Sequence, residues 1–218
     1  MERGIMREYL TITNEDNMEL MKRYSDNHFD LAIVDPPYRD AKDNDMNQCN
    51  RKYIKKGRLK NWNDKPKFEY FNELCRVSKN QIVWGANNFE FEFKGFIVWD
   101  KDIAFEMKFS MCEIASLSDD LSTVSKMIKI RCQNADKVRI HPTQKPVQLY
   151  KWLLTNYAKE GDKILDTHLG SGSIAIAVDS VNKIEKMNLT LTACELDVDY
   201  FNSATKRIEE QTKWNSLF

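Results

Sequence analysis

Several common classes are closed to this sequence by what it lacks. Its cysteines, Cys49, Cys75, Cys112, Cys132 and Cys194, form no CxxC pair and are odd in number. Neither a disulfide framework nor a zinc cluster is suggested, no metal is called for, and the thiols fit a reducing cytoplasm. Neither charge is in excess: Lys plus Arg and Asp plus Glu stand at 33 each, so no global field advertises nucleic acid. No charged-then-apolar leader opens the chain and no apolar run approaches a bilayer span. The expectation is a soluble cytoplasmic protein with no membrane partner. Internal repeats are also missing. The 218 residues suffice for one full-sized domain, 1–218, and fall short of two comfortable ones.

The balanced charge is unevenly spread. Between Arg39 and Lys67 ten basic residues face four acidic ones, in a stretch with almost no apolar periodicity. Residues 39–67 read as a basic mobile loop.

Elsewhere strand-like and helix-like segments alternate, which implies a largely parallel sheet wrapped on both faces. Strands are expected at "YLTIT", "FDLAIV", "QIVWGANNF", "GFIVWDK", "MCEIASLS", "DKILD" and "LTLTACEL", with "TVSKMIKI" a hairpin partner of "MCEIASLS". Helices are expected after Asn14, which can cap a segment placing Met18, Met21 and Tyr24 on one face, at "FEYFNELCRVS", at "TQKPVQLYKWLLTNYA", at "IAIAVDSV" and at "DYFNSATKRIEEQ".

Two places carry chemistry. In "FDLAIVDPPY" a short branched apolar run ends in Asp35, and Pro36 and Pro37 force the chain out of the sheet. Asp35 and Tyr38 are thereby delivered to the C-terminal strand edge, where open α/β sheets bind their ligands. In "DKILDTHLGSGSIAIAV" an acid, Asp166, and a glycine turn containing Gly170, Ser171 and Gly172 lie between strand and helix. A short glycine motif alone is weak, but "LTLTACELD" follows and ends in Glu195, placed to hold a ribose. No Walker lysine follows the glycines. An adenosine-bearing ligand with a positively charged or zwitterionic tail fits better than a triphosphate.

With "HPTQKP" at His141 to Pro146 added, the motifs "DPPY" and "DTHLGSGS" resemble the DNA amino-methyltransferases that use S-adenosylmethionine, in the permuted motif order of the beta class. The resemblance implies a Rossmann-like class I methyltransferase fold: α/β, a mostly parallel seven-stranded sheet, the final strand antiparallel. It implies Asp35, Pro36, Pro37 and Tyr38 as catalytic residues, with Asp35 and the Pro36 carbonyl accepting from an exocyclic amino group and Tyr38 stacking on an extruded base. It also implies Asp166, Gly170, Ser171, Gly172, Glu195, Thr143, Gln144 and Lys145 around S-adenosylmethionine. The basic loop then becomes a DNA contact through Arg51, Lys52, Lys55, Lys56 and Arg58, since it leaves directly from Tyr38. Members of this group often pair, which leaves both a monomer and a homodimer open, in a bacterial or phage-infected host.

An aspartate at position 35 tilts the implied target towards adenine, because cytosine amino-methylators often carry serine there. Two departures stand out. Thr167-His168 replaces the usual Pro-Phe, which keeps open a binding module that has lost turnover. Only 102 residues separate Tyr38 from His141, so no separate target-recognition domain is evident. His141, His168, Trp84 and Trp99 are read as packing residues.

Overall fold

The computed structural model describes residues 3–38, 65–90, 94–104, 110–132, 136, 139–141 and 143–213. In chain order these form β1 (Arg3–Arg7), β2 (Leu10–Asn14), α1 (Asn17–Met21), β3 (Phe29–Val34), α2 (Phe68–Val77), β4 (Ser78–Trp84), β5 (Gly95–Asp100), β6 (Cys112–Leu117), β7 (Lys126–Lys129), α3 (Val147–Tyr157), β8 (Lys163–Asp166), α4 (Ser173–Glu185), β9 (Thr190–Glu195) and α5 (Val198–Lys213).

One sheet contains all nine strands in the order β1-β2-β9-β8-β3-β4-β6-β5-β7. From β2 to β4 neighbouring strands run parallel, and β6 lies antiparallel between β4 and β5. The central strand β3 is buried on both faces: Leu31 to Val34 are all at most 1% exposed. Strand alternation divides the core. Leu31, Ile33, Ile82, Trp84, Ile97, Trp99, Ala115, Leu117, Ile164, Leu191 and Ala193 face the layer formed by α3, α4 and α5. Ala32, Val34, Val83, Leu165 and Cys194 face α1 and α2.

Several expectations need correction. Nine strands stand where the resemblance implies seven; edge strand β1 falls on no expected segment, whereas edge strand β7 falls on an expected one. The antiparallel strand of the sheet's interior is β6; the final strand in the chain, β9, is parallel to both its neighbours. "TVSKMIKI" supplies β7, which pairs parallel with β5 and makes no hairpin with β6. Both edges of β6 are already taken by β4 and β5, so no ladder position is left there. Asp16, not Asn14, caps α1, accepting from the Met18 and Glu19 amides. Asn14 ends β2 and donates its side-chain amide to the Glu195 carbonyl at 2.7 Å. Strand β4 stops at Trp84, because Gly85 turns the chain with φ 71°, leading to a single 3-10 turn at Ala86–Asn88. Finally, α3 starts at Val147 rather than near Thr143. Pro146 takes an extended conformation with ψ 143° and no proline can sit inside the helix, so Thr143 to Lys145 remain outside it.

The basic-loop residues Arg51, Lys52, Lys55, Lys56 and Arg58 lie outside the described residues. Among the described residues no helix is long and apolar enough to cross a membrane.

Candidate active site

The alternation that sorts the core also builds the site. Leu31 and Ile33 point to the α3–α5 side, and two residues further Asp35 follows the same parity. Ile164 leads likewise to Asp166, Ala193 to Glu195 and Ile97 with Trp99 to Lys101. Because β6 runs the other way, its beginning meets the ends of the parallel strands, and Glu113 precedes Ala115 and Leu117 on that same face. A polar row therefore caps the apolar layer: Glu195, Asp166, Asp35, Glu113 and Lys101, in sheet order.

Lys145 closes the middle of this row. Its side chain is 2% exposed, with Nζ 2.5 Å from Asp35 Oδ2 and 3.0 Å from Glu113 Oε2. The ammonium also lies 5.2 Å from the centre of the Trp84 ring and donates to the Tyr38 hydroxyl at 3.2 Å. The Tyr38 hydroxyl is 3.0 Å from Asp35 Oδ1 and 3.3 Å from Glu113 Oε2. Lys101 grips the other oxygen of Glu113 at 2.6 Å. Two carboxylates and two ammonium groups thus balance in a confined space.

Their titration reflects the crowding. Burial raises the Asp35 carboxyl; Lys145 pulls it down and Glu113 pushes it up, leaving it above the ordinary aspartate value. Burial raises Glu113 too, but Lys145 and Lys101 outweigh it and hold that carboxyl at about 2. For Lys145 burial acts downward, yet the two carboxylates win and its pKa rises. Glu113 is thus the firmly ionised member of the pair.

Beside it lies the glycine turn. Strands β3 and β8 are neighbours, so Asp35 and Asp166 leave adjacent strand ends. Asp166 accepts from the His168 amide at 2.9 Å, but burial, with Asp35 and Glu195 nearby, pushes its carboxyl up to about 8. Glu195 receives the Gly170 amide at 2.9 Å and the Asp197 amide at 3.0 Å. Gly170 has φ 54°, and a β-carbon there would meet only the His168 carbonyl, at 3.7 Å. This open glycine lies among the carboxyls of Asp35, Asp166 and Glu195, surroundings that could hold a cationic ligand needing close backbone approach.

A second tie fixes the turn from behind. Arg207 on α5, 2% exposed, donates to the Ser171 carbonyl at 2.7 Å, to Ser173 Oγ at 3.1 Å and to Asp136 Oδ2 at 3.0 Å. Asp136 also accepts from Gln144 Nε2 at 2.9 Å, and Gln144 Oε1 accepts from the Ile140 amide. Thr143 bonds back to His141 Nδ1, and that ring packs 4.4 Å from Tyr200. Gln144 and Thr143 therefore brace the HPTQKP segment, while Lys145 alone of the three reaches Asp35.

Thr167 and His168 occupy their place without an unmet polar group. Thr167 Oγ1 shares a 2.6 Å hydrogen bond with the Tyr70 hydroxyl and a 2.9 Å bond with His168 Nδ1, and His168 Nε2 meets Asn17 Nδ2 at 3.2 Å. Burial lowers the His168 imidazole to about 3, so it is neutral. Both Trp84 and Trp99 are buried, as read from the sequence. Sequence reading missed Glu113, Lys101, Asp136, Arg207 and Gly85.

Gly85 sets the position of Tyr38. A β-carbon on Gly85 would lie 2.2 Å from Tyr38 Cδ1 and 2.4 Å from Cε1. Gly161, at φ 82°, would meet nothing within 4 Å, so it isolates the backbone cost. Gly161→Ala is expected to cost about 1 kcal/mol, and Gly85→Ala about 2–4 kcal/mol because the ring must also be displaced. Urea unfolding of the two variants checks this: equal losses would mean that Tyr38 is free to move aside.

Strand order, the inserted antiparallel β6 and the glycine turn after β8 define a Rossmann-like class I methyltransferase fold. Residues 118–206 match the model of the N6/N4 DNA methylase family, a stretch that contains HPTQKP and the glycine turn and stops short of DPPY. Type II methyltransferase M2.DpnII of Streptococcus pneumoniae is 31% identical over 75 residues, 34% of this chain and 26% of that protein's length. Among solved structures, the M1.HpyAVI–SAM complex superposes with TM-score 0.60 at 18% identity, over 91% of this chain and 98% of that one. PvuII DNA methyltransferase (cytosine-N4-specific) gives TM-score 0.62 at 10% identity, over 97% and 95%. The chain resembles the S-adenosylmethionine-dependent DNA amino-methyltransferases, as its three motifs imply.

Proposed function

We propose that this protein is an S-adenosylmethionine-dependent DNA methyltransferase that modifies the exocyclic amino group of adenine. The observation that carries the reading is convergence: Asp35, more than a hundred positions from both other motifs, sits against Lys145 of HPTQKP and beside Asp166 of the glycine turn. M2.DpnII is a methyltransferase by name, which agrees.

When bound, S-adenosylmethionine supplies an electrophilic sulfonium methyl. Glu195 would take its ribose hydroxyls, Gly170 would allow close backbone approach, and Asp166 would face its cationic end. Asp35 accepts a hydrogen from the target amino group together with the Pro36 carbonyl, which localises the nitrogen lone pair that is otherwise delocalised into the base. The Tyr38 ring, held against Gly85, supplies the stacking face. A paired base cannot reach this corner, so the substrate base must be flipped or single-stranded. The basic residues Arg51, Lys52, Lys55, Lys56 and Arg58 would contact DNA phosphates. Cytosine N4 is the second reading, favoured by the PvuII enzyme's similarity in fold. A binding module without turnover draws no support from Thr167-His168, whose hydrogen bonds are satisfied in place.

The test is to incubate unmethylated DNA with methyl-labelled S-adenosylmethionine and to separate the nucleosides. Label in N6-methyladenine supports the reading, label in N4-methylcytosine supports the second, and none supports the module.

Cofactor binding carries its own signature. With its carboxyl near 8, Asp166 holds a proton at pH 7, and a cationic ligand favours the ionised form. Binding should release a proton and tighten as pH rises towards 8, by up to about tenfold per unit, then level off. Calorimetry at pH 6, 7 and 8 in two buffers of different ionisation heat measures the release; affinity flat across that range would remove Asp166 from the site.

A further inference from the structure

Both oxygens of the Asp35 carboxylate are already engaged, Oδ2 by Lys145 and Oδ1 by the Tyr38 hydroxyl. A target amino group has to compete with both for the Asp35 lone pairs. Each of these competing donors also touches Glu113 Oε2, Lys145 at 3.0 Å and Tyr38 at 3.3 Å. Tyr38 has one proton and can give it to only one carboxylate at a time. Glu113 Oε1 is meanwhile anchored by Lys101, whose ammonium stands 5.5 Å from the Trp99 ring centre. Glu113 is therefore a fixed, ionised receiver facing the same two donors as Asp35.

We propose that Glu113 is a positioning residue, which takes over Lys145 and the Tyr38 proton when a target amino group replaces them on Asp35. The inference rests on the methyltransferase reading and names the device that frees its acceptor. The Lys145 ammonium is not stranded in the exchange, because it keeps a carboxylate partner throughout, while Asp35 trades that ammonium for the N–H of the target. A plain structural brace would be served equally well by any neutral hydrogen-bonding side chain of that size, whereas the exchange needs the charge.

The charged and titratable groups around Asp35 set the pH signature. They are Glu113 and, behind it, Lys101; Lys145 and Tyr38; Asp166 at the end of β8; and Tyr150 on α3. Removing the Glu113 charge removes a repulsion from Asp35 and leaves Lys145 to it alone, so the Asp35 pKa falls.

The experiment measures methyl incorporation into DNA by the full chain, against pH, for wild type, Glu113→Gln and Glu113→Asp, with S-adenosylmethionine affinity measured by calorimetry. Glu113→Gln is expected to lower kcat about 100-fold, with cofactor affinity within about twofold of wild type, and to move the acid limb of the kcat profile to lower pH. Glu113→Asp keeps the charge but shortens the reach, so its acid limb should stay in place and kcat fall only about tenfold. Unchanged kcat in Glu113→Gln overturns the proposal, and so does a loss with the limb unmoved and Asp no better than Gln. A loss that merely follows cofactor affinity overturns it as well. Wild type that transfers no methyl to DNA would instead bring down the methyltransferase reading itself, and this inference with it.

Discussion

Alanine in place of Asp35 is expected to reduce methyl transfer to DNA by about a thousandfold or more, in a protein that still folds and still binds S-adenosylmethionine. The chemical loss is large because nothing else among the described residues near Tyr38 can replace the missing acceptor: Glu113 is held by Lys101 and Lys145, and Asp166 carries a proton. The structural loss is small because Lys145 keeps its 3.0 Å contact with Glu113 when Asp35 is gone. Only the turnover should collapse. Asn in place of Asp35 separates charge from acceptance, for it keeps one carbonyl oxygen but presents an NH2 that opposes the target's own hydrogens. Activity of Asp35→Asn near wild type would show that the carboxylate is not the acceptor. The same nucleoside assay used for product identity reads both variants, and calorimetry confirms that the cofactor still binds.

Lys145→Met should act on stability instead. It leaves two buried carboxylates facing each other, Glu113 with Lys101 on its far oxygen and Asp35 with no ammonium among the described residues, and breaking a buried pair by removing one partner costs about 3–5 kcal/mol. In a domain whose whole stability is about 5–15 kcal/mol, that corresponds to a fall in melting temperature of roughly 10 °C or more. The pH dependence identifies the cause. Without Lys145 the folded-state pKa of Asp35, already above its unbound 3.8, climbs further. A carboxyl whose folded pKa exceeds its unfolded one gives its stability at low pH and loses it as pH rises through the folded value. The gap in melting temperature between variant and wild type should therefore widen from pH 5 to pH 8. A gap independent of pH would mean that lost packing over Trp84, not stranded charge, is responsible.

Much of this was legible before any coordinates. The branched run of β3, the prolines behind it and the glycine turn after β8 are local signals, and each named its element and its end of the sheet. Residues found by partnership across the sheet were not legible in the same way. Glu113 sits in "MCEIASLS" as an ordinary strand residue, and nothing local marks it as facing Lys145 thirty-two positions on. One signal was available: with Ala115 and Leu117 assigned to the core, period-two alternation puts Glu113 on the buried face, where an acid demands a partner. Asp136 and Arg207 gave no such signal, since their meeting joins an irregular segment to a helix seventy-one positions away. The β7 error has a similar origin. Pairing preference is visible in a strand's composition, but whether the intended neighbour has an edge free depends on the whole sheet.

The row of carboxyls at the strand ends has one more consequence under the proposed reaction. Crowded acids tolerate one another best when something positive lies among them. A sulfonium donor brings that charge and surrenders it with its methyl, leaving a neutral thioether of nearly the same shape in surroundings that no longer favour it. The electrostatics that gather the fresh molecule thus also discard the spent one, and turnover needs no separate means of ejection.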